Sequence, residues 1–196
     1  MERAAEEKIE SVIVQPTHFL KGNDFKKLEE QLLKYKDKFK ELLLGEPLLS
    51  SEYDFVVLAE ALLKQAEPYN DDQTAICFVG HGVDGEMNEP YRLLQEQIRM
   101  RGISHYYVGT LKGSPTKEMV LSQMQQKGIY KKIVLLPLMI VSGAHAIHEM
   151  AGDEEGSWKY FFEQFGYKVE CVQKGLGEYP QVQKLFVKHI RDVIPK

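Results

Sequence analysis

Four side chains between residues 81 and 148 have the types and spacing that polar chemistry needs. His81 stands between two glycines in Gly80-His81-Gly82, and His145 follows the apolar run LPLMIV by way of Ser142-Gly143. His148 lies three residues beyond it, and Lys112 sits in Gly109-Thr110-Leu111-Lys112-Gly113. Two imidazoles brought together suit a borderline divalent ion such as Co²⁺, Ni²⁺, Fe²⁺ or Zn²⁺. An imidazole also accepts and releases protons near neutral pH. Gly80 and Gly82 remove side chains that would block His81 and let the backbone approach a bulky ligand. A spacing of three puts His145 and His148 one helical turn apart, so these two could also bind a metal by themselves.

For these groups to meet, the elements that carry them must end side by side. Residues 74–79, 104–108 and 132–140 are β-branched and aliphatic runs, the pattern of buried parallel strands. Each ends just before one of the candidate groups. In a parallel α/β sheet such strand ends lie along one edge, where ligands bind. Helices are expected between them, at 90–101, from the cap and first-turn proline Ser114-Pro115 to Gly128, and at 157–164. A strand at 168–172 and a helix at 180–194 close the chain, the helix burying Val182, Leu185, Phe186, His189, Ile190 and Val193. His105 and His189 fall inside these elements and read as structural.

The first part of the chain follows the same alternation. Residues 11–15 (SVIVQ) form a strand that stops at Pro16, which cannot donate to a ladder. Asn23 or Asp24 caps a helix whose apolar residues run from Phe25 to Phe39, with a lysine-rich, solvated opposite face. A strand at 41–44 precedes the Gly45-Glu46-Pro47 turn, and Ser51 with Asp54 forms a capping box for a helix at 53–65. The polar stretch 68–72 (PYNDD) is the expected boundary between a partial N-terminal α/β domain, 1–68, and a C-terminal one, 73–196. A weak internal repeat supports two copies of one unit: KIESVIVQPTH parallels IYKKIVLLPLM, and ELLLGEP parallels VECVQKGLGEYP.

Composition narrows the function. At 196 residues, 43% hydrophobic and 28% charged, the chain is an ordinary globular protein of one domain or two small ones. A formal net charge of −4 argues against a general nucleic-acid binder. No apolar run approaches the roughly 20 residues of a membrane span, and MERAAEEKIE is not a signal peptide. Cys77 and Cys171, both in apparent strands, read as buried free thiols, so a cytoplasmic location is expected.

The segments VIVQPTHFLKGNDF, FVGHG, YYVGTLKGSPT, LPLMIVSGAHAIHEMAGDEEGSWK and VQKGLGEYP, in that order, resemble the anaerobic, CbiK-type sirohydrochlorin cobaltochelatases of the class II chelatases. The resemblance covers essentially the whole chain. It implies two similar parallel-sheet α/β domains, the first one incomplete here, with a cleft where a metal ion enters a polycarboxylate tetrapyrrole. The implied reaction, part of anaerobic cobalamin biosynthesis, inserts Co²⁺ as substrate metal into sirohydrochlorin. Two pyrrole protons are lost, and neither ATP nor an organic cofactor is needed. Fe²⁺ and Ni²⁺ are alternative ions. By position, His81 and His145 match the family's metal-binding histidines, and they are expected to be catalytic together with Lys112. His18, Gly80, Gly82, Met139 and Ser142 are expected to contact the tetrapyrrole.

The sequence departs from the family pattern in three places. The motif GHGTxH reads GHGVDG here, with Gly85 in place of a histidine. The glutamate of VGTxEG is Lys112, which leaves open a second reading: a degenerate relative that binds tetrapyrrole or metal without catalysis. Lys112 can pair with a substrate carboxylate or, if buried, act as a base, and Asp84, Glu86 or Glu149 are candidates for the missing acid. Relatives also begin with further strand–helix pairs, so an exposed sheet edge covered by a homo-oligomer is expected.

Overall fold

A computed structural model of the chain describes residues 1–195, with residues 83–87 described by their backbone alone. Its helices are α1 (Glu2–Glu6), α2 (Asn23–Leu33), α3 (Glu52–Ala66), α4 (Glu89–Met100), α5 (Lys117–Gln125), α6 (Trp158–Gln164) and α7 (Pro180–Val193). Its strands are β1 (Ser11–Val14), β2 (Glu41–Leu44), β3 (Thr74–Met87), β4 (Tyr106–Ser114), β5 (Lys132–Leu138) and β6 (Lys168–Cys171). The chain divides into two compact units, Met1–Asp54 with Pro180–Lys196, and Phe55–Tyr179. The stretch 68–72, expected as a boundary, runs inside the second unit. There Asp71 accepts from Gln73 N and Thr74 Oγ1 and leads straight into β3.

In the first unit β1 and β2 pair in parallel, from Ser11 opposite Glu41 to Val14 opposite Leu44. Helix α2 buries Phe25 and Leu32. It ends at Leu33 instead of continuing to Phe39, and Lys36–Lys38 form a 3₁₀ turn. Extending it would place Lys34 one turn from Lys38, and Lys36 one turn from Lys40, and like charges at that spacing destabilise a helix. Gly22, rather than Asn23 or Asp24, occupies the cap position. The capping box at Ser51 and Asp54 is present, Ser51 N donating to Asp54 Oδ2 at 2.9 Å and Asp54 N to Ser51 Oγ at 3.4 Å. Asp54 also meets His189 of α7, Nε2 to Oδ1 at 3.1 Å, while His189 Nδ1 lies 3.2 Å from the Glu46 carbonyl. His189 is therefore a structural group that fixes α7 within its unit.

The second unit is a four-stranded parallel sheet in the order β4-β3-β5-β6. The repeat seen in the sequence matches β1 with β5 and β2 with β6; β1 pairs in parallel with β2, and β5 with β6. Two strands run past their expected ends. Central β3 keeps pairing with β4 through Gly80 opposite Thr110 and Gly82 opposite Lys112. His81 and Lys112 therefore sit on a continuing ladder and not in loops, because pairing with β4 continues after pairing with β5 has stopped at Gly80 opposite Leu138, and it overrides the local turn propensity of glycine. The Ser114-Pro115 pair was expected to open α5, but its peptide bond is cis and lies outside the helix. Thr116 is the cap instead, its side chain accepting from Met119 N.

The core of this unit packs Ala75, Cys77 and Val79 of β3 and Ile133 and Leu135 of β5 against Val120 and Met124 of α5 and Trp158 and Phe162 of α6. Trp158 lies so close over β4 that a Cβ on Gly109 would come within 2.3 Å of its ring. Cys77 is buried and Cys171 partly so, both unpaired, and burial raises both thiols, Cys171 to about 11. Among the described residues no helix is long and apolar enough to cross a membrane.

Candidate metal centre

His81 is set by the ladder of β3. Its Nδ1 donates to the carbonyl of Gly82 at 2.8 Å, leaving Nε2 as the nitrogen that carries the free lone pair. Gly82 has φ +71°, a conformation glycine adopts without strain, and its N–H donates to the Tyr91 hydroxyl at 3.2 Å. Tyr91 is buried, which raises its hydroxyl above the ordinary value. What approaches the two glycines is protein. A Cβ on Gly80 would fall 2.1 Å from the Tyr91 ring, and one on Gly82 would fall 2.0 Å from the Lys112 carbonyl. That carbonyl also accepts from Asn88 Nδ2 at 3.2 Å. Tyr91 and Asn88 thus brace the His81 strand, a role no motif in the sequence announces.

His145 opens a π-helical segment, His145–Met150, directly after β5 and its exit loop. Ala146 and Met150 are buried in the core of the unit, while His145 and Glu149 face outward. The Nδ1 of His145 meets Oε1 of Glu149 in a hydrogen bond. Here too the nitrogen left over is Nε2.

The structure brings His81 and His145 together. Their ring centres are 4.6 Å apart and the planes cross at 75°. A metal–nitrogen bond of about 2.1 Å puts a ring centre roughly 3.2 Å from the ion, so two imidazoles at about 90–110° on one ion have centres roughly 4.5–5.2 Å apart. The observed distance between ring centres falls within that range. Among the described residues no third His, Cys, Asp or Glu completes a cluster around the pair. The side chains of Asp84 and Glu86, two candidates for the missing acid, lie outside the described residues.

A cavity of about 600 Å³ is lined by Lys112, Thr116, His148, Glu149, Glu154 and Trp158 among others, and it adjoins the imidazole pair only through Glu149, since neither His81 nor His145 lines it. Lys112 and Glu149 therefore share one wall space, and His148 faces it without joining the imidazole pair. Met139 is half-buried against the core, and its carbonyl accepts from Leu176 N at 2.8 Å. Ser142 Oγ donates to Gln173 Oε1 at 2.9 Å. In the first unit His18 packs edge-on to Phe25, and its Nδ1 is buried with no hydrogen-bond partner among the described residues. His105 is held by Asn70 Oδ1 at 2.5 Å, as a structural histidine would be, and burial lowers its pKa.

Residues 1–195 match the family model described as cobalt chelatase (CbiK). The chain belongs to the CbiK cobalt chelatase family. Within that family it is 29% identical over 194 residues to the sirohydrochlorin cobaltochelatase of Salmonella typhimurium, covering 99% of this chain and 72% of that protein. It is 32% identical over 186 residues to the sirohydrochlorin cobaltochelatase CbiKC of Nitratidesulfovibrio vulgaris, covering 94% of this chain and 65% of that one. This family member thus spans about two thirds of the length of these relatives. Its fold is similar to that of SirB from Bacillus subtilis with Fe³⁺, at a TM-score of 0.69 and 14% identity, covering 98% of this chain and 75% of that one. The α/β chelatase fold expected from the sequence is the one found.

Proposed function

We propose that the chain is a sirohydrochlorin cobaltochelatase, inserting Co²⁺ into a sirohydrochlorin-type tetrapyrrole in anaerobic cobalamin biosynthesis. The observation that carries this reading is the imidazole pair, 4.6 Å between ring centres with both Nδ1 atoms hydrogen-bonded. Two neutral nitrogen ligands hold a borderline cation while leaving most of its coordination positions for the incoming pyrrole nitrogens. As the macrocycle takes the ion, its four ring nitrogens replace the two imidazoles on Co²⁺, and the two pyrrole N–H bonds break with their protons passing to the imidazoles as these are released. The Nε2 atoms of His81 and His145 then pass the two protons to water.

Lys112 acts on the substrate side. Lys112 lines the cavity, and its ammonium is the group that would meet a peripheral carboxylate of the tetrapyrrole, positioning the ring without competing for the cation. Met139 and Ser142 contact the macrocycle from the exit of β5, and Gly80 and Gly82 keep the His81 strand narrow. For His18 the support is its buried, unpartnered Nδ1, an atom that a bound polar group completes. The same imidazole pair accepts Fe²⁺ or Ni²⁺, and supply selects among them. The two free thiols fit a reducing cytoplasm.

The test is an anaerobic assay of Co²⁺ insertion into sirohydrochlorin, followed by the visible absorption of the product. The parent chain is expected to metallate the tetrapyrrole, and His81→Ala and His145→Ala to fall to the uncatalysed rate. A parent chain that binds tetrapyrrole but never metallates it would replace this reading with that of a degenerate binding protein.

A further inference from the structure

The reading of His81 and His145 as the metal-holding pair leaves unexplained why the two are anchored so differently. His81 donates to a neutral backbone carbonyl, whereas His145 donates to a carboxylate carried by its own helical segment. We propose that Glu149 is the positioning residue of His145. It holds Nδ1–H so that Nε2 stays aimed at the ion, and its charge strengthens that nitrogen as a donor.

The local helix geometry carries this inference. A π-turn closes residue i to i+5, with Ala151 N donating to the Ala146 carbonyl at 3.1 Å. Side chains four residues apart lie on the same face of a helical turn, which puts the Glu149 carboxylate within reach of His145. Ala146 and Met150, themselves four apart, are both fully buried and fix the rotation of the segment. The next ridge is then His145 and Glu149, held in line and unable to turn away. Gly152 lets the chain close beneath, since a Cβ there would come 2.3 Å from the His148 carbonyl. A carboxylate behind a metal-bound imidazole fixes the ring and raises its basicity, and losing such a partner weakens metal binding about 10–100-fold. This assigns Glu149 a place behind the ligand and not on the ion, so it does not replace the glutamate that Lys112 displaces.

The inference rests on the imidazole-pair reading, and the experiment separates the two. Co²⁺ alone is titrated into the parent, Glu149→Gln, Glu149→Leu and His145→Ala, following the visible absorption of the ion. Proton NMR of the Co²⁺-loaded proteins then records the paramagnetically shifted, exchangeable imidazole N–H signals, and far-UV circular dichroism checks the fold. The parent should show two such N–H signals. Glu149→Leu should bind Co²⁺ about 10–100-fold more weakly and lose one signal to rapid exchange with water, with the fold unchanged. Glu149→Gln, which keeps a neutral acceptor, should fall between the two and retain both signals. Unchanged affinity and two signals in Glu149→Leu would overturn the positioning role. So would a Glu149→Gln spectrum showing a lost ligand, because Glu149 would then bind the ion itself. If instead His145→Ala binds Co²⁺ as the parent does, the imidazole-pair reading fails.

Discussion

Lys112 distinguishes this site from the pattern it resembles, because a carboxylate can ligate the ion and an ammonium repels it. On the present account its work lies with the substrate, and that difference is measurable. Lys112→Met should raise the KM for sirohydrochlorin about tenfold, the loss of one charge-assisted contact of about 1.5 kcal/mol, with kcat changed little. Co²⁺ affinity measured without tetrapyrrole should not fall. A drop in kcat at unchanged KM would mean that Lys112 acts on the reacting atoms. Single residues were also the scale at which the sequence was most legible. His81 and His145 were identifiable from residue type and from their places after apolar runs, and the fold brings their rings into contact. Tyr91 and Asn88 were not identifiable, since a tyrosine and an asparagine at the start of a helix carry no signal that their polar atoms turn back to the β3–β4 ladder. Glu149 was visible only as one of three candidate acids, because residue type does not tell a ligand from a group that holds a ligand's far nitrogen.

The strands show why local reading found the elements but misplaced some of their ends. The β-branched runs mark β1, β2, β5 and β6 to within about two residues. Central β3 and its neighbour β4 extend further because Gly82 still pairs with Lys112 beyond Gly80, a non-local effect that composition cannot express. The π-helical segment is the most consequential element in this respect. Its sequence HAIHEM has ordinary helical character, and its wide turn is set by the burial of Ala146 and Met150 together with the close approach at Gly152. Gly152→Ala forces that approach apart, which costs about 1–3 kcal/mol if the backbone shifts to relieve it. The melting temperature should fall, and Co²⁺ binding should weaken together with it as His145 loses its alignment. Loss of stability at full Co²⁺ affinity would separate the π-turn from the metal site.

At the scale of the whole molecule, the chain divides into two compact units, each with a parallel sheet, and the closing helix α7 belongs with the N-terminal strands and not with the sheet that precedes it in sequence. In the first unit the two-stranded sheet leaves Ile13 of β1 36% exposed, whereas its counterpart β5 is buried along nearly all its length. The central claim is that the imidazole pair holds Co²⁺ and hands it directly to the macrocycle, and a single-turnover transfer tests this most directly. The protein is loaded with one equivalent of Co²⁺, freed of unbound metal under anaerobic conditions and mixed with sirohydrochlorin in the presence of a chelator that captures any ion released to solution. The account predicts that the tetrapyrrole is metallated while the chelator stays largely unloaded, and that His145→Ala gives no transfer. Co²⁺ appearing in the chelator with the tetrapyrrole left metal-free would contradict it.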